Sequence, residues 1–442
     1  MRHKHRAYSL SLRTTARASG TSRVGIYWYA QTNLIDQAEV ELPHDPSATE
    51  LAEDLRWYLE DFLEDGSAPS QARAARVRAA IEAVGVALFR TLFVSSPDGA
   101  RLWKRAQRYL PLTEIEADLV DPIPGVPWEI LQSPDNHAPL ALSTGSFIRS
   151  ERTEPRSDRE KSTLRQTCRI LLVISRPRGT ADIAFRSVGS KLFEALSSNT
   201  AFEVMVLRPP TFSACAEALR DAARAGTPFD IVHFDGHGLH VGGDDDANPS
   251  LSRGGYVLFE NGDAEDALAV SGRDFGALIA ETGTASVVLN ACRSSYSETA
   301  AKGSSYSPPV ASFATEVIRA GACQVVAMAY DLYVFSAMRF MKEFYRVLAT
   351  GQSLTVAASA ARKHLAADKR TSFSSESNIL DDWLVPRVFQ SPRKASFRYE
   401  PPSPNRPPSS KSKIVVAGAA LPPPPDLGFV GSDARCRRPL DW

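Results

Sequence analysis

From residue 168 onward the chain alternates short apolar runs with longer amphipathic ones. The runs "CRILLVIS" (168–175), "FEVMVLR" (202–208), "DIVHF" (230–234), "SVVLNA" (286–291) and "CQVVAMAY" (323–330) are too short for helices and largely apolar on both faces. Strands of that kind are buried on both sides, as in a parallel sheet. Between and after them, helical periodicity marks about 187–197, about 211–225, "SGRDFGALIAETG" (271–283), about 309–320, 333–349 and 353–367. Strands alternating with amphipathic helices predict an α/β fold, a mostly parallel sheet with helices on both faces. "DDWLVPRVF" (381–389) reads as a last strand docking on that sheet.

The earlier part of the chain is patterned differently. A strand-like run, "RVGIYWYA", opens a region over 24–150. It continues through helical patterns at about 47–65 and 71–92 and closes with "VPWEIL" and "LALSTGSFIRS", which read as short strands. This predicts a smaller α+β region ahead of the parallel sheet. Residues 151–167 are almost wholly polar and read as a linker, so the α/β domain is expected over 168–391. Residues 1–23 are basic and contain no acid, which reads as a disordered arm. Residues 392–442 open into "PPSPNRPPSS" and "PPPP", a polyproline-prone tail expected to be disordered.

Composition narrows the function classes. At 43% apolar and 23% charged residues the chain is ordinary for a globular protein. Lys and Arg (51) balance Asp and Glu (51), so the overall charge does not point to nucleic acid or an anionic membrane as partner. No apolar run approaches the ~20 residues that span a bilayer. Five scattered cysteines without a CxxC pair argue against a disulfide framework or a cysteine zinc site. They suit a reducing compartment, and a cytoplasmic location is expected.

Two stretches carry candidate chemistry. "DIVHFDGHGLH" (230–240) is an apolar run expected to end at Gly236-His237-Gly238, and "SVVLNACRSS" (286–295) is one expected to end at Cys292. Functional groups gather at the carboxyl ends of parallel strands. If the two strands are neighbours, His237 and Cys292 emerge side by side. A thiol is a poor nucleophile until ionised, and an imidazole beside it accepts its proton and then protonates a leaving amine. The glycines are expected to let the backbone turn tightly beside His237. An oxyanion would sit against the amides of Gly238 and Cys292. Each residue also has a bland reading: cysteine is among the most buried residue types, and a lone histidine is as readily a core residue. A zinc reading of His233, His237 and His240 needs a helix, and the two glycines disfavour one there.

In this order and spacing the motifs resemble those of caspase-like cysteine peptidases, the clan of caspases, separases and gingipains. "HFDGHG" with "VVLNACRS" is most similar to the CHAT subgroup. "VPWEIL" with "LALSTGSFIR", "VASFATEVIRAGACQVVAMAYDL" and "DWLVPRVF" are similar to its flanking segments. The resemblance implies a peptidase domain over 168–391 of caspase-like fold, with His237 as general base, Cys292 as nucleophile and Gly238 lining the oxyanion hole. It implies no metal and no cofactor. It also implies a protein substrate and a role in bacterial signalling or defence.

Relatives in the clan place a charge in the pocket for the residue before the cut. Asp331, just after "CQVVAMAY", lies where such a pocket would form and would favour Arg or Lys; its plain alternative is a helix N-cap. The polar loop 297–309 is of a kind that undergoes self-cleavage in relatives, and "GGDDDAN" (242–248) reads as a solvated acidic turn. "DLGFVGSDAR" in the tail resembles the entry into an NTPase domain, which makes an activating partner or NTPase module an expected companion. The 442 residues contain no GxxxxGK[ST] loop, so no nucleotide binding is expected of them. Two rival functions stand beside peptidase activity. One is a caspase-like scaffold with an idle dyad, and the other a phosphate-binding α/β protein suggested by "GHGLHVGG".

Overall fold

The computed structural model describes residues 8–16, 22–42, 46–65, 67–119, 121–122, 125–135, 138–151, 163–165, 167–177, 192, 196, 201–241, 251–252, 254–262, 264–293, 309–367, 380–391, 397–399 and 414–417. Among them the five apolar runs are strands. Cys168–Ile174, Phe202–Leu207, Ile231–Val241, Ser286–Arg293 and Gln324–Met328 pair in parallel, with Ile231–Val241 between Cys168–Ile174 and Ser286–Arg293. Alternate side chains fill two layers. Val288 and Val326 join Phe340, Phe344 and Tyr345 on one face, where helices Val334–Leu348 and Leu354–Ala367 lie. Val287, Leu289, Val325 and Ala327 join Phe275, Ile279, Phe313 and Val317 on the other, under helices Gly272–Glu281 and Pro309–Ala320. The α/β architecture read from the sequence, a mostly parallel sheet with helices on both faces, is therefore the observed one.

The sheet does not stop at the last core strand. Pro386–Gln390 pairs antiparallel with Gln324–Met328 and then meets Ser146–Arg149, Thr113–Ala117, Tyr8–Ala16, Ser22–Ala30 and Asn33–Leu42 in turn. The α+β region and the parallel sheet thus share one ladder of strands. Helices Pro46–Glu60, Ala68–Phe93 and Pro97–Ala106 accompany the first part. No helix of the described residues is long and apolar enough to cross a membrane.

Several expectations need correction. The arm expected over 1–23 contains the strand Tyr8–Ala16, because "YSLSL" alternates and buries Leu10 and Leu12 completely. The expected linker contains Thr163–Arg165, which pairs with Phe397–Tyr399 from the expected tail. Ile414–Ala417, a β-branched run between polyproline stretches, extends the main sheet beside Phe202–Leu207. "VPWEIL" is not a strand: Trp128–Ile130 is a 3₁₀ turn, and a short helical turn at Leu140–Ser143 precedes the strand Ser146–Arg149. The stretch between "DIVHF" and "SGRDFG" holds a hairpin, Gly254–Asn261 and Ala264–Ser271, turning at Asn261-Gly262 with Gly262 at φ +56. The helix expected near 187–197 lies outside the described residues except for Leu192 and Leu196, which are buried.

Candidate active site

The histidine and cysteine strands are direct neighbours in parallel register. Asp235 pairs with Asn290, Gly236 with Ala291, and His237 with Cys292. Register partners on adjacent parallel strands share a face and lie about one strand spacing, ~4.8 Å, apart. The dyad positions read from the two stretches are thus brought side by side. They also lie past the ends of the flanking strands: pairing with Cys168–Ile174 stops at Asp235, and pairing with Gln324–Met328 stops at Leu289. The carboxyl edge is where the sequence expects the chemistry.

Neither strand ends there, however. Ile231–Val241 runs straight through Gly236-His237-Gly238, and from His237 onward its free side is taken by the hairpin in antiparallel register, His237 opposite Leu258 and Gly238 opposite Val257. His237 is therefore held between Cys292 on one side and the hairpin on the other, and is 6% exposed. The expected tight turn at the glycines is absent; neither has positive φ. Gly236 serves close packing instead: a Cβ there would lie 2.8 Å from the Phe234 ring and 3.2 Å from the Ser175 carbonyl.

Two rungs before the His237–Cys292 pair, on the same face, sits a polar brace that the sequence reading missed. The Asn290 amide donates to Asp235 Oδ1 at 2.8 Å, and Arg176 Nη2 pairs with Asp235 Oδ2 at 2.8 Å. Arg176 Nη1 also donates to the Asp235 carbonyl at 2.9 Å, and the Arg176 amide donates to Glu260 of the hairpin at 3.0 Å. The Ser175 hydroxyl donates to the Leu258 carbonyl, directly opposite His237. These buried, charge-assisted bonds tie three strands and the hairpin together beneath the His237–Cys292 rung. The signal was present: Asp235 and Asn290 each stand two residues before a dyad member, and a period of two puts them on its face. Reading it needs the register, which the sequence does not contain.

His233 belongs to the core. It is fully buried, its Nδ1 lies 2.6 Å from the Tyr345 hydroxyl, and burial pushes its pKa down to about 4, against a smaller opposing pull from Asp235. On an extended strand His233 and His237 are about 13 Å apart, and His240 falls on the opposite face, so the three cannot ligate one metal. Among the described residues no His/Cys/Asp/Glu group could hold a metal ion. Cys168 and Cys215 are buried, and burial pushes the Cys215 thiol up to about 12.

Asp331 lies between the strand Gln324–Met328 and the helix Val334–Leu348, at the same sheet edge as the dyad and one strand beyond Cys292. It is not that helix's N-cap, which is Tyr333 without a side-chain cap bond. It is half-buried, and its amide donates to Glu60 Oε1 at 3.0 Å, while the Tyr333 hydroxyl donates to the Glu60 carbonyl at 2.8 Å. Helix Pro46–Glu60 thereby grips the segment on which a substrate pocket would form. Residues 242–248 and 297–308 lie outside the described residues.

Nearby, Asp382 is buried and accepts from the Ser336 hydroxyl at 2.5 Å; burial raises its pKa to about 6. Its linkage opposes that of His233. His233, with a folded pKa below its ordinary 6.5, loses stability as pH falls from 6.5 towards 4. Asp382, with a folded pKa above its ordinary 3.8, gains stability as pH falls from 6 towards 3.8. Each is worth about 3 kcal/mol over its window. Asp382→Asn is therefore expected to steepen the loss of stability between pH 6.5 and 4 by about 3 kcal/mol, measured by urea unfolding at the two limits. An unchanged pH slope would refute the assignment.

The family model of the CHAT domain matches residues 120–401, more than half of the chain. No curated protein matches it.

Proposed function

Since the chain belongs to the CHAT domain family, a caspase-like group related to cysteine peptidases, we propose that it is a cysteine endopeptidase acting through His237 and Cys292. The observation that carries this reading is the parallel register pairing of those two residues at the carboxyl edge of the sheet. His237 takes the Cys292 thiol proton, and the thiolate attacks the substrate carbonyl carbon. The resulting oxyanion is held by backbone amides, that of Gly238 among them. As the C–N bond breaks, the imidazolium gives its proton to the leaving amine and a thioester remains. A water deprotonated by His237 then hydrolyses the thioester and restores the thiol. The brace of Arg176, Asp235 and Asn290 acts on this chemistry indirectly, by fixing the separation of the two strands.

A bacterial signalling or defence role, a cytoplasmic setting, a protein substrate and control by a partner or NTPase module complete the reading, on family likeness. The test is alkylation of the intact protein with an iodoacetamide probe. Cys292 should label fastest, Cys168 and Cys215 should stay protected, and His237→Ala should slow Cys292 specifically. Labelling of Cys292 that ignores His237 would favour the idle scaffold.

Asp331 is the proposed selector for a basic residue before the scissile bond. Asp331→Asn is expected to lower kcat/KM on arginine substrates by about 100-fold, the order of losing one partner of a buried charge pair, while alkylation of Cys292 is unchanged. An equal loss on neutral substrates would remove Asp331 from the pocket.

A further inference from the structure

Away from the dyad, three arginines lie in the interior: Arg149 (1% exposed), Arg362 (1%) and Arg387 (3%). They come from the strand Ser146–Arg149, the helix Leu354–Ala367 and the strand Pro386–Gln390. Two carboxylates meet them. Glu129 takes Arg149 Nε at 3.1 Å and Nη2 at 2.5 Å, and Asp121 lies 2.8 Å from Arg149 Nη2. Arg149 Nη1 donates to the Asp118 carbonyl at 3.2 Å, so Arg149 is satisfied on every nitrogen.

The other two arginines are not. Arg362 donates from Nη2 to the Pro386 carbonyl at 2.5 Å, and its Nε and Nη1 are buried without a partner. Arg387 approaches Asp121 only from Nη1, at 3.8 Å, and its Nε and Nη2 are likewise buried without a partner. Nε and Nη2 form the side-on edge of a guanidinium, the fork that takes two oxygens of one carboxylate or phosphate. The next carboxylates are engaged elsewhere: Asp118 accepts from the amides of Thr14 and Leu119, and Glu116 pairs with Arg13. Among the described residues three guanidiniums therefore face two carboxylates, and four buried nitrogens have no hydrogen-bond partner. An unpaired buried cation is strongly disfavoured.

We propose that the interior between Arg362 and Arg387 binds a small oxyanion of the phosphate or carboxylate class, taken by the side-on edge of Arg387 and by one unmet nitrogen of Arg362. The anion balances the third arginine and completes the junction between the α+β region and the parallel sheet. In its absence burial, reinforced by Arg149 and Arg387, depresses the Arg362 pKa to about 10 even against the pull of Glu129.

The full chain is tested in two ways. Its unfolding midpoint is followed against inorganic phosphate, and separately acetate, at ionic strength held constant with chloride. Anion released on acid denaturation of the purified chain is measured by ion chromatography, since a closed site exchanges slowly. The midpoint should rise saturably with one of the two anions, and a stoichiometric amount of anion should be released. In Arg387→Met the dependence should vanish, and the midpoint should be at least that of wild type without the anion, because the excess charge is gone. Arg362→Met provides the same reading if the first variant does not fold. Wild type that neither releases nor responds to either anion would overturn the site, as would an anion response unchanged in both variants. None of these outcomes depends on peptidase activity.

Discussion

Cys292→Ala is expected to lower peptide hydrolysis by about a million-fold on a fluorogenic peptide with arginine before the scissile bond. His237→Ala should fall by a comparable factor, and the double variant no further, because nucleophile and base act as one unit. The prediction follows from the register. Two residues fixed as partners across one parallel ladder contribute to the same step, so the second deletion removes nothing that the first has left. Losses that multiply in the double variant would mean that the two residues work independently, and the dyad would be abandoned.

The largest effect on stability is expected at Glu129. It is 1% exposed; burial alone would raise its pKa, but Arg149, Arg387 and Arg362 together hold it down to about 2. Glu129→Gln leaves Arg149 with Asp121 as its one carboxylate and adds a further unbalanced charge to the interior. Removing one partner of such a pair costs roughly 3–5 kcal/mol. The loss should appear as a lower urea midpoint with an unchanged slope. Glu129→Gln combined with Arg387→Met should recover part of it, because the second change removes one of the guanidiniums left unopposed. The sign of the pH effect follows too. With a folded pKa below its ordinary 4.5, Glu129 contributes stability fully present above that value and lost as pH falls towards 2. A double variant no more stable than Glu129→Gln would show that the arginines are not coupled through this carboxylate.

Some of this was legible in the residues and some was not, for physical reasons. The five core strands are buried on both sides, so their apolar character is continuous and strong. The neighbouring placement of His237 and Cys292 was legible because each follows such a run. Strands with a polar second face were harder. Tyr8–Ala16 alternates Leu10 and Leu12 with Ser9 and Ser11, all four buried, so half of its covered positions carry no apolar signal, and its basic neighbours gave it the look of an arm. The hairpin behind His237 carried its turn signal in Asn261-Gly262, but acidic residues around that turn diluted the pattern. Gly236 was read for flexibility, whereas its place is set by the Phe234 ring and the Ser175 carbonyl, neither adjacent to it in sequence. The arginine cluster was illegible altogether. Glu129, Arg149, Arg362 and Arg387 are spread over more than 250 positions, and only the shared ladder of strands gathers them.

That ladder also decides how the protein can be divided. Val388 and Phe389, at most 2% exposed, sit on the strand where the parallel sheet hands over to the earlier region. A fragment starting at Cys168 would leave Pro386–Gln390 as a bare rim, with unmet backbone groups, apolar side chains and the Arg387 guanidinium newly in water. Such rims recruit other chains. The excised unit would thus be prone to join copies of itself edge to edge, and the first 150 residues act in part as a built-in guard against that association.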